Sequence, residues 1–231
     1  MFISVEQTVD QTLPKSVVSA CNQVTITHLP GNSLTATVDT VKKIHDQAGV
    51  PVAVPHIAAR NLQTEAELIN ACIAFAEEGV KTVLIVGGNS KKGPVYSSVY
   101  QICNVLKDFQ FRKICGIYPQ QETPKQVKDK KLSNFSQGIT QFCLKPSLLQ
   151  PFADSSLIGV PSQCSARALL KYAKLCGIAN SAKTAVQNLQ GVRFLTLTGF
   201  DTARFVSSIG CNSIHIYNFG KIESTVRSLA K

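Results

Sequence analysis

Short runs of β-branched and apolar residues recur along the chain at ISVE (residues 3–6), VTIT (24–27), VAVPH (52–56), TVLIVGG (82–88), KICGIYP (113–119), GITQFCL (138–144), SLIGVPS (156–162) and SIHIYNF (213–219). Each is apolar at nearly every position rather than at alternate ones, the pattern of a strand covered on both faces. The segments between them carry helical spacing instead. In TEAELINACIAFAEE (64–78), Leu68, Ile69, Cys72, Ile73 and Phe75 form one stripe, Thr64 and Glu67 make a capping box at its start, and Gly79 stops it. The same logic predicts helices over 34–48, 94–109 with Pro94 in the first turn, 165–176 and 200–209; Gly49, Gly177 and Gly210 end three of them.

Strand followed by helix, eight times over, requires parallel pairing with right-handed crossovers. Eight such units predict closure into a single-domain α/β fold, a (β/α)8 TIM barrel spanning residues 1–231. The first helix, around 9–20, is short. The connection 178–199 is long and holds an apolar run of its own, RFLTLTG. As a ninth strand that run would give an open doubly wound sheet, which stands as the alternative.

A barrel places its chemistry at the carboxyl ends of its strands and in the loops that follow. The polar residues of the apolar runs fall there: Glu6, Thr27 and His28, His56, Gly87-Gly88-Asn89, Tyr118, Gln141, and His215 with Tyr217. Gln141 stands at the centre of GITQFCL, where an unpaired buried amide costs roughly 1–3 kcal/mol. By the two-residue period it shares a face with Ile139 and Cys143, so its partner is either a neighbouring strand or a ligand in the barrel mouth. Glu6 is the only carboxylate ending a predicted strand. Burial would raise its pKa and suit it to donating a proton near neutral pH; a salt bridge at the rim is the competing reading.

GGNSKKG (87–93) has neither the GK[ST] of a phosphate loop nor GxGxxG. What remains is two glycines that let backbone N–H groups approach a ligand, against a plain turn into the next helix. His56, in VPHIAAR, lacks a second histidine or carboxylate at ligand spacing, so no metal is expected there. The absence of a Gly-x-Ser-x-Gly elbow argues against a serine hydrolase, and a core histidine bonded to a backbone carbonyl is the default for such a residue.

Composition narrows the partners. With 44% hydrophobic and 16% charged residues, the chain can bury a large core. No apolar run approaches a membrane span and the N-terminus lacks the order of a signal peptide, so a soluble, cytoplasmic protein with no membrane partner is expected. Eight cysteines without a CxxC pair read as reduced, packed thiols. The net charge of +10 favours anionic partners. Its clusters, Lys91-Lys92 and Lys125, Lys128, Lys130 and Lys131, have no interleaved aromatics, so solvated surface or a phosphate-bearing ligand is expected and nucleic acid is not.

Taken in order, six blocks resemble the methylenetetrahydrofolate reductase family across almost the whole chain. GITQFCL is similar to that family's ITQF strand, PHIAARNL to PH[IL]T, GVKTVLIVGGNSKKGP to GI..I.ALRGD, GIYPQQETP to A.YPE.HPE, LIGVPS to IPGI.P, and SIHIYNF to HFY.LN. The resemblance implies FAD as cofactor, NADH or NADPH as its reductant, and hydride transfer to 5,10-methylenetetrahydrofolate, giving 5-methyltetrahydrofolate for one-carbon metabolism and methionine biosynthesis. It implies that Thr27, His56, Gly87, Gly88, Asn89 and Tyr118 line the flavin and that Lys130 or Lys131 reaches its phosphates. Gln141, with Phe142 beside it, would hold the pterin, and Glu6, matching the glutamate of SFEFFPP without the FFPP, would donate a proton to the folate. The family's flavin-side aspartate is Asn89 here, a change expected to favour an anionic reduced flavin. The reverse oxidation and a non-catalytic folate-binding barrel stand as alternatives, and a homo-oligomer is left open.

Overall fold

The two-residue period of the strands decides the architecture, because each strand presents one set of side chains outward and the other inward. The computed structural model describes residues 1–47, 52–88, 93–130, 134–175, 194–196 and 199–230. Eight strands pair in parallel: β1 (Phe2–Thr8), β2 (Gln23–Thr27), β3 (Val52–Ala58), β4 (Thr82–Val86), β5 (Arg112–Ile117), β6 (Gln137–Thr140), β7 (Ser156–Pro161) and β8 (Ser213–Tyr217). The ring runs β1-β8-β7-β6-β5-β4-β3-β2 and closes on itself, so the single-domain TIM barrel stands and the open sheet does not. Helices α1 (Lys15–Val18), α2 (Leu34–His45), α3 (Glu65–Glu77), α4 (Val99–Val105), α5 (Pro124–Lys130), α6 (Pro146–Leu149), α7 (Ala166–Leu175), α8 (Thr202–Ile209) and α9 (Ile222–Leu229) connect and follow the strands, with α7 and α8 both between β7 and β8.

Several element boundaries differ from the sequence expectation, each for a local reason. The α3 cap forms as expected, with Thr64 Oγ1 accepting from the Glu67 N–H at 3.0 Å. The Glu67 carboxylate, however, turns to the N–H groups of Gln63 (3.0 Å) and Leu34 (3.1 Å), so one side chain ties the starts of α2 and α3 together. Helix α4 begins at Val99 rather than near Pro94, because Gln101 Oε1 accepts from the Ser97 and Ser98 N–H groups and fixes the first turn there. Of the run RFLTLTG, the described residues do not join the barrel: Leu195–Thr196 pairs antiparallel with Gly199–Phe200 in a small ribbon. Strand β6 stops at Thr140, which puts Gln141 just past its end instead of at its centre.

Outward positions such as Val5, Val24, Ile26, Val83, Ile85, Ile158, Val160, Ile214 and Ile216 are buried in the layer between strands and helices. Inward positions divide into two kinds. From β3 to β7 the central ones are apolar: Val54, Leu84, Ile114, Ile139 and Leu157, one from each strand, form a separate core inside the ring, with His56 of β3 above it. From β8, β1 and β2 they are polar: buried His215, Ser4, Gln23 and Thr25, with Glu6 above them.

Candidate functional site

At the carboxyl ends of the strands the interior opens into a cavity of about 290 Å³, close to the lower end of the roughly 300–1,000 Å³ of small-molecule sites. Leu84 and Ile139 form part of its lining, and Glu6, Thr27, His56, Gly88, Tyr118 and Gln141 line it too. With His28, His215 and Tyr217, which also line it, nine of the residues singled out in the sequence are thus brought together, although they come from seven different strand ends.

Three polar atoms of this wall are buried without a hydrogen-bond partner: Thr27 Oγ1, His56 Nε2 and Asn61 Oδ1. Buried polar atoms are nearly always satisfied, so their convergence on one cavity makes it the candidate binding site. Gly88 belongs to the same wall, with φ at +81°, and a Cβ there would lie 3.0 Å from Asn61 Oδ1. Asn61 was not singled out in the sequence; it is held by its Nδ2, which donates to the His28 carbonyl at 2.9 Å. His28 is structural rather than ligand-directed, because its Nδ1 accepts from the Ala58 N–H (3.2 Å) and its Nε2 meets the Asn32 carbonyl (3.0 Å). Burial lowers the pKa of both histidines, and drives that of His56 down to about 4. His56 is therefore a neutral imidazole at physiological pH, and the orphaned Nε2 rules out the default of a fully satisfied core residue.

Glu6 departs from its expected behaviour. Burial by itself would raise its pKa, but a hydrogen bond from His215, the electrostatic pull of the neighbouring His215 and His56 rings, and a smaller pull from the Thr27 hydroxyl together hold it below the ordinary carboxylate range. Thr27 exerts that pull from outside hydrogen-bonding geometry. His215 Nε2 lies 3.4 Å from Glu6 Oε2, and the Glu6 side chain is 19% exposed toward the mouth. Glu6 is consequently an ionised carboxylate at neutral pH and not a ready proton donor. His215 is the partner that sequence reading left without a role.

Gln141 is half-buried at the rim. Its backbone N–H continues the β5–β6 ladder by donating to the Ile117 carbonyl (2.6 Å), and its Oε1 accepts from the Phe142 N–H (3.1 Å). That leaves the amide NH2 as the donor it offers a ligand. Phe142 does not join the cavity wall: it is fully buried against Tyr217 and Phe219, at ring distances of 5.7 and 4.9 Å. Gly87 lies outside the lining as well, covered by Arg60, whose backbone N–H and Nε both donate to its carbonyl (3.1 and 2.8 Å). Asn89 and Lys131 lie outside the described residues, as does the side chain of Lys130. Among the described residues no cluster of histidine, cysteine and carboxylate groups could hold a metal ion, the seven cysteines form no disulfide, and no helix is long and apolar enough to cross a membrane.

No protein-family profile and no curated protein sequence matches the chain. Solved structures do, at low identity. An uncharacterized protein from Clostridium thermocellum that binds two copies of 5-methyl-5,6,7,8-tetrahydrofolic acid superposes with a TM-score of 0.62 at 12% identity, covering 100% of this chain and 94% of that one. The GH18 chitinase ChiB of Flavobacterium johnsoniae gives 0.54 at 11%, covering 99% and 92%. The xylanase and alpha-amylase inhibitor protein of Scadoxus multiflorus gives 0.53 at 12%, covering 99% and 97%. These likenesses carry the barrel fold; the chemistry has to come from the site.

Proposed function

We propose that the barrel mouth binds a reduced folate and that the protein is a flavin-dependent oxidoreductase of the methylenetetrahydrofolate reductase type, using NADH or NADPH. The observation that carries the reading is the convergence of three orphaned polar atoms, the Gly88 wall, the ionised Glu6 and the Gln141 amide on one cavity. A pterin edge offers the donors and acceptors that Glu6 and Gln141 lack. The 5-methyltetrahydrofolate bound by the similarly folded clostridial protein supports a ligand of this class.

The residues present also fit a flavin. Thr27 Oγ1, His56 Nε2 and Asn61 Oδ1 offer donors and acceptors to a polar ring edge, and the absence of a side chain at Gly88 leaves room for a flat ring. Thr27, His56, Asn61 and Gly88 would hold the FAD ring, which when bound supplies hydride transfer. The state of Glu6 favours the oxidative direction as a second reading. Oxidation of the folate methyl group to methylene ends with N10 closing the ring and losing a proton, and an ionised carboxylate is the group to accept it.

Calorimetric titration with 5-methyltetrahydrofolate and with FAD tests the two parts separately. Wild-type protein is expected to bind both, and Gln141→Leu to weaken folate binding roughly tenfold, from the cost of leaving pterin polar groups unmatched, while sparing FAD. Absence of folate binding would overturn the reading as a whole. Folate binding without retained FAD, or FAD that NADH and NADPH fail to bleach without air, would reduce it to a folate-binding barrel.

A further inference from the structure

The polar wedge inside the ring forms a chain of hydrogen bonds with a defined direction. Ser4 of β1 is in register with His215 of β8 on one side and Gln23 of β2 on the other. Gln23 Nε2 donates to Ser4 Oγ at 2.9 Å, Ser4 Oγ lies 2.9 Å from His215 Nδ1, and His215 Nε2 lies 3.4 Å from Glu6 Oε2. An amide NH2 can only donate, so one lone pair of the Ser4 oxygen is taken by Gln23, and an ionised Glu6 can only accept, which calls for the His215 proton on Nε2 and directs the Ser4 hydrogen to Nδ1. Nδ1 is then the acceptor and Nε2 carries the proton toward Glu6. Ser4 and His215 are fully buried and Gln23 nearly so, out of reach of bulk solvent. The His215 ring is further fixed edge-on against Tyr217, with centroids 4.8 Å apart and planes at 88°.

We propose that His215 is a positioning residue for Glu6, and that Gln23 and Ser4 lock it in the tautomer protonated on Nε2. With Oε2 engaged by His215, Oε1 becomes the acceptor that Glu6 presents to the cavity. The ligand edge seated there must therefore bring an N–H donor, and an anionic group at that place is rejected. The titratable groups facing Glu6 are His215 from β8 and His56 from β3; β2 adds the Thr27 hydroxyl and β6 the neutral Gln141. The ligand class rests on the folate reading, but the lock does not, since it is a property of the free protein.

The test uses the full chain without ligand. Imidazole 15N shifts of labelled protein are expected to show His215 with Nδ1 unprotonated and Nε2 protonated; the opposite tautomer overturns the proposal. Gln23→Leu frees the Ser4 hydroxyl to turn either way and is expected to give a mixture of tautomers. A carboxyl 13C titration is expected to place the Glu6 midpoint higher in His215→Leu than in wild type and to restore it in His215→Gln, whose amide can donate to Oε2. A midpoint that stays put in folded His215→Leu sinks the positioning role. Titration of the same variants with 5-methyltetrahydrofolate then reads the ligand: weaker binding in His215→Leu with recovery in His215→Gln supports the donor edge. Undiminished binding in His215→Leu overturns the donor edge, and a wild type that binds no folate defeats the folate reading while leaving the tautomer result standing.

Discussion

Gly159→Ala is expected to destabilise the barrel by about 3 kcal/mol or more, as overpacking against backbone does when nothing can yield. Gly159 sits in β7 where the Tyr217 ring leans over it to bring its hydroxyl to the Thr140 carbonyl at 3.2 Å. A Cβ at this position would lie 2.0 Å from that carbonyl oxygen, 2.8 Å from Tyr217 Cε2 and 3.1 Å from the Phe142 nitrogen. Relief requires β6 and β7 to part, and they are joined there by the bond from the Gly159 N–H to Thr140 Oγ1 (2.7 Å). The movement would also carry Gln141, the next residue after Thr140, out of place. Gly116→Ala is the matched control: its Cβ would meet only Val86 Cγ1, at 3.5 Å, an ordinary contact. Urea denaturation of both variants decides the matter, and equal midpoints for the two would show that the β6–β7 seam is softer than its packing implies.

Acidification from pH 6.5 to pH 4 is expected to remove roughly 3 kcal/mol of stability through His56 alone, at about 1.36 kcal/mol per unit. Above pH 6.5 the imidazole is neutral in folded and unfolded chains, and it contributes no slope. Between 6.5 and the folded value of about 4, set chiefly by desolvation, the unfolded chain binds a proton that the folded chain does not, so stability falls with falling pH. Below that value the loss is complete. His28, lowered by its own burial, adds to the fall in the same direction. Glu6 follows at lower pH: its depressed carboxyl stabilises the fold above the unfolded value of about 4.3, and that contribution disappears as pH drops through the folded value. Denaturation curves taken at half-unit intervals should show a shallower pH dependence for His56→Gln, which has no proton to take up. Parallel slopes for variant and wild type would mean that His56 is not the source.

The barrel was legible in the sequence because its strands are buried on both faces, and a near-continuous apolar run survives an error of one residue in register. The capping residue Thr64 was equally plain, since its hydroxyl accepts from the Glu67 N–H within one turn. Strand ends were harder. Gln141 looked central because Phe142, Cys143 and Leu144 continue the apolar run, yet these three are buried by packing beyond β6 and not by its ladder. The charge state of Glu6 was out of reach for a different reason: its deciding partner, His215, is 209 residues away in sequence and arrives only because β8 closes the ring onto β1. A signal for that wedge was nonetheless present. Ser4 and Glu6, Gln23, Thr25 and Thr27, and His215 and Tyr217 are each spaced by two, the period of one strand face.

The division of the ring interior into an apolar sector and a polar one has a consequence for directed evolution of this scaffold. Positions 54, 84, 114, 139 and 157 answer mainly to volume, so a library that exchanges large and small hydrophobic residues among them, holding their sum constant, should yield many folded clones. Positions 4, 23 and 215 answer to donor and acceptor identity, so single changes that drop a donor or acceptor should be depleted relative to those that keep one, such as glutamine at 215, and paired substitutions should be enriched. Sequencing the survivors of the two libraries side by side would show independent drift in one sector and linked choices in the other.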